Sequence, residues 1–174
     1  MRKRVAVLIS GRGSNLAALI VATHDATYPA EIALVVSNRA DAAGLQRAKE
    51  AGIATMVVDN DTYVDREAFE RALHEVLEVN QIAFVCLAGF MRLLTSWFVT
   101  RWQGRMLNIH PALLPAFKGL ATHGRALAAG VKVHGATVHF VVPEVDSGPI
   151  IAQGAVPVFD TDTSETLAAR VLAV

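Results

Sequence analysis

Residues 5–24 read VAVLISGRGSNLAALIVATH, and the fold is decided there. Val5 to Ile9 are apolar without alternation, the pattern of a strand buried on both faces of a parallel sheet. A glycine-rich turn, Gly11-Arg12-Gly13-Ser14-Asn15, leads straight into the apolar helix LAALIVATH. Strand, glycine turn and helix together make a nest of backbone N–H groups at a helix N-terminus, which suits an anion. Gly11 and Gly13 match the start of a dinucleotide fingerprint, but Leu16 stands where its third glycine belongs. No acidic residue closes the second strand either, since IALVVSN ends in Ser37 and Asn38, and no Gly-Lys-Ser/Thr is present for a nucleoside triphosphate. The loop therefore reads as a site for a phosphate monoester. A tight turn that binds nothing is the alternative, because glycines serve sharp turns anyway.

Outward from this unit, strands and helices alternate. Strands are predicted at Ile32–Ser37, Thr55–Val58 and Ile82–Ala88, with a helix from near Asp41 closed by Gly52. A second helix runs from about Asp65 to Val79, with Phe69, Leu73, Val76 and Leu77 on one face. Glu67, Glu70, Arg71 and Glu75 read as its solvated side, and Arg66 occupies the first turn, where a cation opposes the helix dipole. The fourth strand empties into Gly89-Phe90-Met91-Arg92-Leu93-Leu94, with Thr95 placed as the next N-cap. A loop this apolar is expected either to pack under another segment or to line a pocket for a flat, largely apolar ligand. Short links imply right-handed crossovers and a largely parallel sheet. If strand order reverses after the third strand, strands one and four become neighbours and their loops flank the ligand crevice.

MLNIH (106–110) is the next strand; it carries Asn108 and His110 to its C-terminal end, where Pro111 stops it. A short helix, Thr122–Ala129, is closed by Gly130, and His123 and His134 beside it read as structural or exposed. HGATVHFV (134–141) alternates like a strand with one covered face. The turn Pro143-Glu144-Val145-Asp146-Ser147-Gly148-Pro149 is stiff around Asp146, whose commonplace role would be to cap its own backbone. An apolar strand (150–158) follows, and then Asp162-Thr163-Ser164-Glu165 resembles a capping box opening a helix. That helix reaches Val174 without a C-cap signal, so the C-terminal end is expected to be incomplete. The expected fold is α/β: a single domain over 1–174, Rossmann-like and three-layered, with a mixed, mostly parallel sheet of about seven strands flanked by helices.

The composition agrees with a compact chain. Of 174 residues, 53% are hydrophobic and 18% charged, which reads as compact and globular with no sign of disorder. Sixteen basic residues balance sixteen acidic ones, so no net field gathers nucleic acid. Cys86, the only cysteine, lies in an apolar run and reads as core. The apolar run after the basic start breaks at Gly11, too early for a signal segment, and no membrane span is present. A cytoplasmic protein without membrane or nucleic-acid partners, a monomer or weak homodimer, is the expectation. The histidines lack metal-ligand spacing, so no metal is expected.

SGRGSNL (10–16), VVSNRADAAGL (35–45), LAGFMRLL (87–94), LNIHPALLPAFKG (107–119), HGATVHFV (134–141) and DSGPIIAQ (146–153) together resemble the glycinamide ribonucleotide formyltransferases, a folate-dependent family of purine synthesis. The resemblance implies transfer of a formyl group from 10-formyltetrahydrofolate, a co-substrate, to the amine of glycinamide ribonucleotide. It implies Asn108, His110 and Asp146 as the catalytic trio and Gly13, Ser14 and Asn15 as the substrate phosphate loop. On the folate side it implies Arg66, Met91, Arg92, Leu93, Leu94, Asn108 and the run Val142, Pro143, Glu144, Val145 and Asp146. The family's nucleotide site also uses a stretch just past Arg170, where position 172 is leucine here.

The chemistry favours the same roles. An amine attacking a formyl carbon builds an oxyanion and must lose a proton, while the departing nitrogen must gain one. Asn108 and a protonated His110 can donate to that oxygen, and Asp146 can orient the imidazolium as a general acid. Three other readings share some of these features: a formyltransferase acting on initiator methionyl-tRNA, a formyl-folate hydrolase, and a nucleotide-binding module with an inert trio. Zero net charge counts against the first, and the early first strand against the second, which usually carries an N-terminal regulatory domain. A His110→Ala exchange would separate the third.

Overall fold

Strand β1 (Lys3–Ile9) is buried from Val5 onward, as its unbroken apolar run requires when both sheet faces are covered. The computed structural model describes residues 2–174. In chain order follow α1 (Ser14–His24), β2 (Ala30–Ser37), α2 (Ala43–Glu50), β3 (Thr55–Val57), a 3₁₀ turn (Asn60–Thr62), α3 (Arg66–Val79), β4 (Phe84–Leu87) and α4 (Ser96–Arg101). Then come β5 (Met106–His110), α5 (Thr122–Ala128), β6 (Val133–Phe140), β7 (Ile150–Pro157) and α6 (Ser164–Leu172). Seven strands form one sheet in the order β3-β2-β1-β4-β5-β6-β7, flanked by the helices. The fold is α/β with a mixed, mostly parallel sheet. β1 pairs in parallel with both β2 and β4, with Val7 opposite Val35 and Cys86, so strand order reverses after β3, the condition under which strands one and four become neighbours. β6 and β7 are antiparallel.

The residues separate into two compact units, one running up to Leu107 and one from Asn108 to Val174. The core of the first gathers Val5, Val7, Ile9, Leu16, Val35, Leu45 and Ala48. Each valine, leucine or isoleucine side chain among them contributes roughly 1.5–3 kcal/mol on burial. Ala126, Ala136, Val156, Leu167 and Val171 form the core of the second, where α6 lies over β6 and β7.

Helix ends follow local chemistry. The Asp65 carboxylate caps α3 by accepting from Ala68 N at 2.8 Å, and Thr95 caps α4. Gly52 takes a left-handed φ of 72° just past α2, as a C′ glycine does. Two sequence expectations need correcting. The box at α6 closes between Thr163 and Thr166, while Asp162 instead accepts from Phe159 N and pairs with Arg170. Glu70 is not on a solvated face: it is fully buried, and both Thr95 N–H (2.8 Å) and the Thr95 hydroxyl donate to its carboxylate. Among the described residues no helix is long and apolar enough to cross a membrane.

Candidate active site

In the second unit, β5 ends on His110, whose side chain is only 5% exposed. Its ring lies between two oxygens. Nε2 is 2.9 Å from the Phe117 carbonyl and Nδ1 is 3.4 Å from Asp146 Oδ2. A carbonyl can only accept, so Nε2 carries a hydrogen; a second proton on Nδ1 turns the contact with Asp146 into a charge-assisted pair. The doubly protonated ring is the form that satisfies both neighbours.

Asp146 does not cap its own turn. It adopts a left-handed φ of 49°, which aims its nearly buried carboxylate inward, where Oδ2 accepts from Gly119 N at 2.8 Å. Gly148 makes that turn possible, since a Cβ there would lie 1.7 Å from the Phe140 carbonyl oxygen. Phe140 N donates to Pro149 O at 2.9 Å, fastening the far side of the same turn. The facing segment is strained as well. Phe117 and Ala121 both take φ of 54°, which costs a non-glycine residue roughly 1–2 kcal/mol. This conformation presents the Phe117 carbonyl to His110 and the Gly119 N–H to Asp146.

Sequence reasoning missed His139. It is buried, its Nδ1 lies 2.9 Å from the Phe140 carbonyl, and its Nε2 lies 3.2 Å from Asn108 Nδ2 and 3.8 Å from Asp146 Oδ1. With the hydrogen on Nδ1, Nε2 accepts one of the two Asn108 amide hydrogens and leaves the other free to donate. The signal for this residue was its inward position in HGATVHF, which is also the signal of a core residue. His134 on the same strand is such a core residue. Its ring packs edge-on against Phe117 and His123, and burial, with the nearby His123 behind it, holds it below the usual histidine range. A hollow of about 240 Å³ opens beside Asp146, lined by Leu114, Pro115, Lys118, Ser147, Gly148 and Ile150. The Leu114–Pro115 bond at its wall is cis. It is smaller than the ~300–1,000 Å³ of a drug-sized ligand site and suits a small group.

The first unit holds the two loops. Gly13 is the N-cap of α1 at φ 72° and offers no side-chain cap, so the N–H groups of Ser14, Asn15 and Leu16 head the helix unpaired within it. A Cβ on Gly13 would fall 2.9 Å from Gly44 Cα. Gly44 at the start of α2 in turn donates its N–H to Gly11 O at 3.0 Å. The close packing expected of a third fingerprint glycine is thus supplied from α2, with Leu16 buried in the core instead. The loop after β4 lies against the end of β1, since Ser10 N donates to Gly89 O and Met91 N donates to Ser10 Oγ. Met91 and Leu93 are 66% and 63% exposed, so the loop is not packed under another segment. Arg92 and Leu94 are half-buried, and Arg66 is exposed at the start of α3. Cys86 on β4 is buried enough that its thiol is pushed up to about 11, which makes it inert. Val142 is half-buried, and Pro143, Glu144 and Val145 are exposed as they lead into Asp146.

Comparison with known proteins puts this arrangement in a family. The profile of the family described as "Formyl transferase" matches residues 3–174. The chain is 55% identical over 170 residues to the trifunctional purine biosynthetic protein adenosine-3 of Bos taurus, covering 98% of this chain but 17% of that protein. It is 47% identical over 167 residues to phosphoribosylglycinamide formyltransferase of Escherichia coli (strain K12), covering 96% of this chain and 79% of that one. A crystal structure of phosphoribosylglycinamide formyltransferase from Brucella melitensis superposes with a TM-score of 0.96 at 53% identity, over 99% of this chain and 89% of that chain. With a match that runs nearly from end to end, a buried His–Asp pair and an uncapped glycine loop, the chain belongs to the formyl transferase family.

Proposed function

We propose that the chain is a phosphoribosylglycinamide formyltransferase: it transfers a formyl group to the amine of glycinamide ribonucleotide in purine synthesis. The observation that carries this reading is the Asn108–His110–Asp146 cluster, with His110 Nδ1 3.4 Å from Asp146 and the Asn108 amide oriented by His139 at 3.2 Å. 10-Formyltetrahydrofolate would supply the formyl group. The exposed apolar side chains of Met91 and Leu93 fit its flat ring, and the backbone of the same loop offers polar edges to read it. Arg66, Arg92, Leu94 and the stretch from Val142 to Val145 are assigned to the folate side with them.

Each residue then has a chemical task. The N–H groups of Gly13, Ser14 and Asn15 hold the ribonucleotide phosphate at the positive end of α1. Asn108 donates its free amide hydrogen to the oxygen that gathers charge as the amine adds to the formyl carbon. His110, charged and oriented by Asp146, donates to the same oxygen from Nε2 and passes its proton to the departing nitrogen, and the proton that the added amine gives up returns to His110 and restores its charge. For that, the Phe117 carbonyl must yield its place at Nε2. Asp146 remains an anion and keeps the imidazolium aligned.

The reading is tested with purified protein, 10-formyltetrahydrofolate and glycinamide ribonucleotide, following both the folate product and the formylated ribonucleotide. Formylated ribonucleotide should appear in step with folate release. Folate release that persists without the ribonucleotide would identify a hydrolase instead, and absence of both would sink the proposal.

A further inference from the structure

A row of polar groups runs behind the apolar loop, and neither the trio nor the phosphate loop uses it. Met91 N–H donates to Ser10 Oγ at 2.8 Å, and the Ser10 hydroxyl donates to Asn38 Oδ1 at 2.6 Å. Asn38 Nδ2 donates to Asn60 Oδ1 at 2.7 Å, and Asn60 Nδ2 donates to the Asp61 carboxylate. All four bonds point the same way and end on an anion, so each strengthens the next. A serine hydroxyl has one hydrogen. Because Asn38 takes it, a lone pair on Ser10 Oγ faces Met91, while Ser10 N–H holds Gly89 O from the other side. Asn38 is 5% exposed, so water is poorly placed to substitute for its amide.

The loop has little else to hold it. Met91 and Leu93 are two-thirds exposed, and the next anchor along the chain is Thr95, fixed by Glu70. We propose that Asn38 is a positioning residue for the folate side, setting the direction of the Met91 amide through the Ser10 hydroxyl. This rests on reading Met91–Leu94 as the folate loop. Asn38 touches no substrate; it acts through Ser10.

The test compares Asn38→Leu, Ser10→Ala, Ser10→Thr and the Asn38→Leu/Ser10→Ala double variant by hydrogen exchange at the Met91 amide and by steady-state kinetics. Loss of one net hydrogen bond corresponds to a change of about 10-fold. Asn38→Leu and Ser10→Ala should each speed Met91 exchange and raise the KM for 10-formyltetrahydrofolate by about that factor. The ribonucleotide KM and kcat should hold in Asn38→Leu, Ser10→Thr should restore both readouts, and the double variant should match either single one. Unchanged Met91 exchange, an equal rise in both KM values, or additive effects in the double variant would overturn the proposal. If the unmodified protein consumes no formyl folate, the folate reading itself fails, and the role of Asn38 toward folate falls with it. The Met91 exchange rates still separate that outcome from a missing clamp.

Discussion

His139 shows how one residue divides the work of another. Asn108 has two amide hydrogens, and His139 Nε2 at 3.2 Å occupies one of them, which fixes the plane in which the other points. Replacing His139 with leucine should leave the fold intact and free the Asn108 amide to rotate, lowering kcat by about 10- to 10²-fold, because small misplacements are costly in a positioned site. An unchanged kcat would show that Asn108 is held by something else. Removing the donor itself is the stronger cut: Asn108→Ala should lower kcat by about 10²–10³-fold with circular dichroism unchanged. Asn108, His110 and Asp146 were singled out by the resemblance of the motifs that carry them; taken alone, two polar groups at a strand end and an aspartate in a proline-stiffened turn read as incidental, and their approach through His139 and across the turn is seen only in the fold. His139 was not singled out, because β6 is buried at four successive positions from His134 to Thr137 in place of the expected alternation, and a buried histidine on it reads the same whether it packs, as His134 does, or donates and accepts.

Among the elements, α3 shows where periodicity stops informing. Its apolar face, with Phe69, Leu73 and Leu77 buried, was readable from spacing alone. Glu70 sits one position off that face and was assigned to solvent, yet α3 packs against the start of α4, so the carboxylate is buried over Thr95. Nothing in a 3.6-residue period records which element comes to cover a helix flank. The expected consequence is that Glu70→Ala leaves the Thr95 N–H and hydroxyl unpaired and costs about 1–3 kcal/mol in denaturant unfolding. Glu70→Gln, which keeps an acceptor, should cost less; equal losses would show that charge rather than hydrogen bonding matters there. The glycine turn tells a similar story. Its strand–turn–helix frame was legible, but its close partner, Gly44 on α2, was not, because that contact joins residues about thirty positions apart.

At the scale of the whole molecule, alternation of strands and helices was enough to expect a largely parallel sheet, while β1 beside β4 hung on a reversal of strand order that alternation leaves open and the sheet order supplies. The antiparallel β6–β7 pair closes the sheet, and α6 is tied down by Asp162, which takes Arg170 at 2.7 and 2.8 Å and Phe159 N at 2.8 Å. The Arg170 guanidinium, with the Phe159 N–H behind it, holds the Asp162 carboxyl well below the usual carboxylate range. A folded-state pKa lowered in this way adds stability that is fully present above the unfolded value near 4 and is lost as pH falls through the folded one. Thermal unfolding of Asp162→Asn should therefore begin at a lower Tm at neutral pH and decline less steeply than the parent as pH falls below about 4. Parallel curves would remove Asp162 from the acid response.

The central claim is that His110, aligned by Asp146, supplies the proton and the charge for formyl transfer. It is tested most directly by the turnover of His110→Ala with saturating 10-formyltetrahydrofolate and glycinamide ribonucleotide. A fall in kcat of at least about 10²–10³-fold, in a variant that still unfolds cooperatively, is the expected result. Turnover equal to that of the unmodified protein would contradict it.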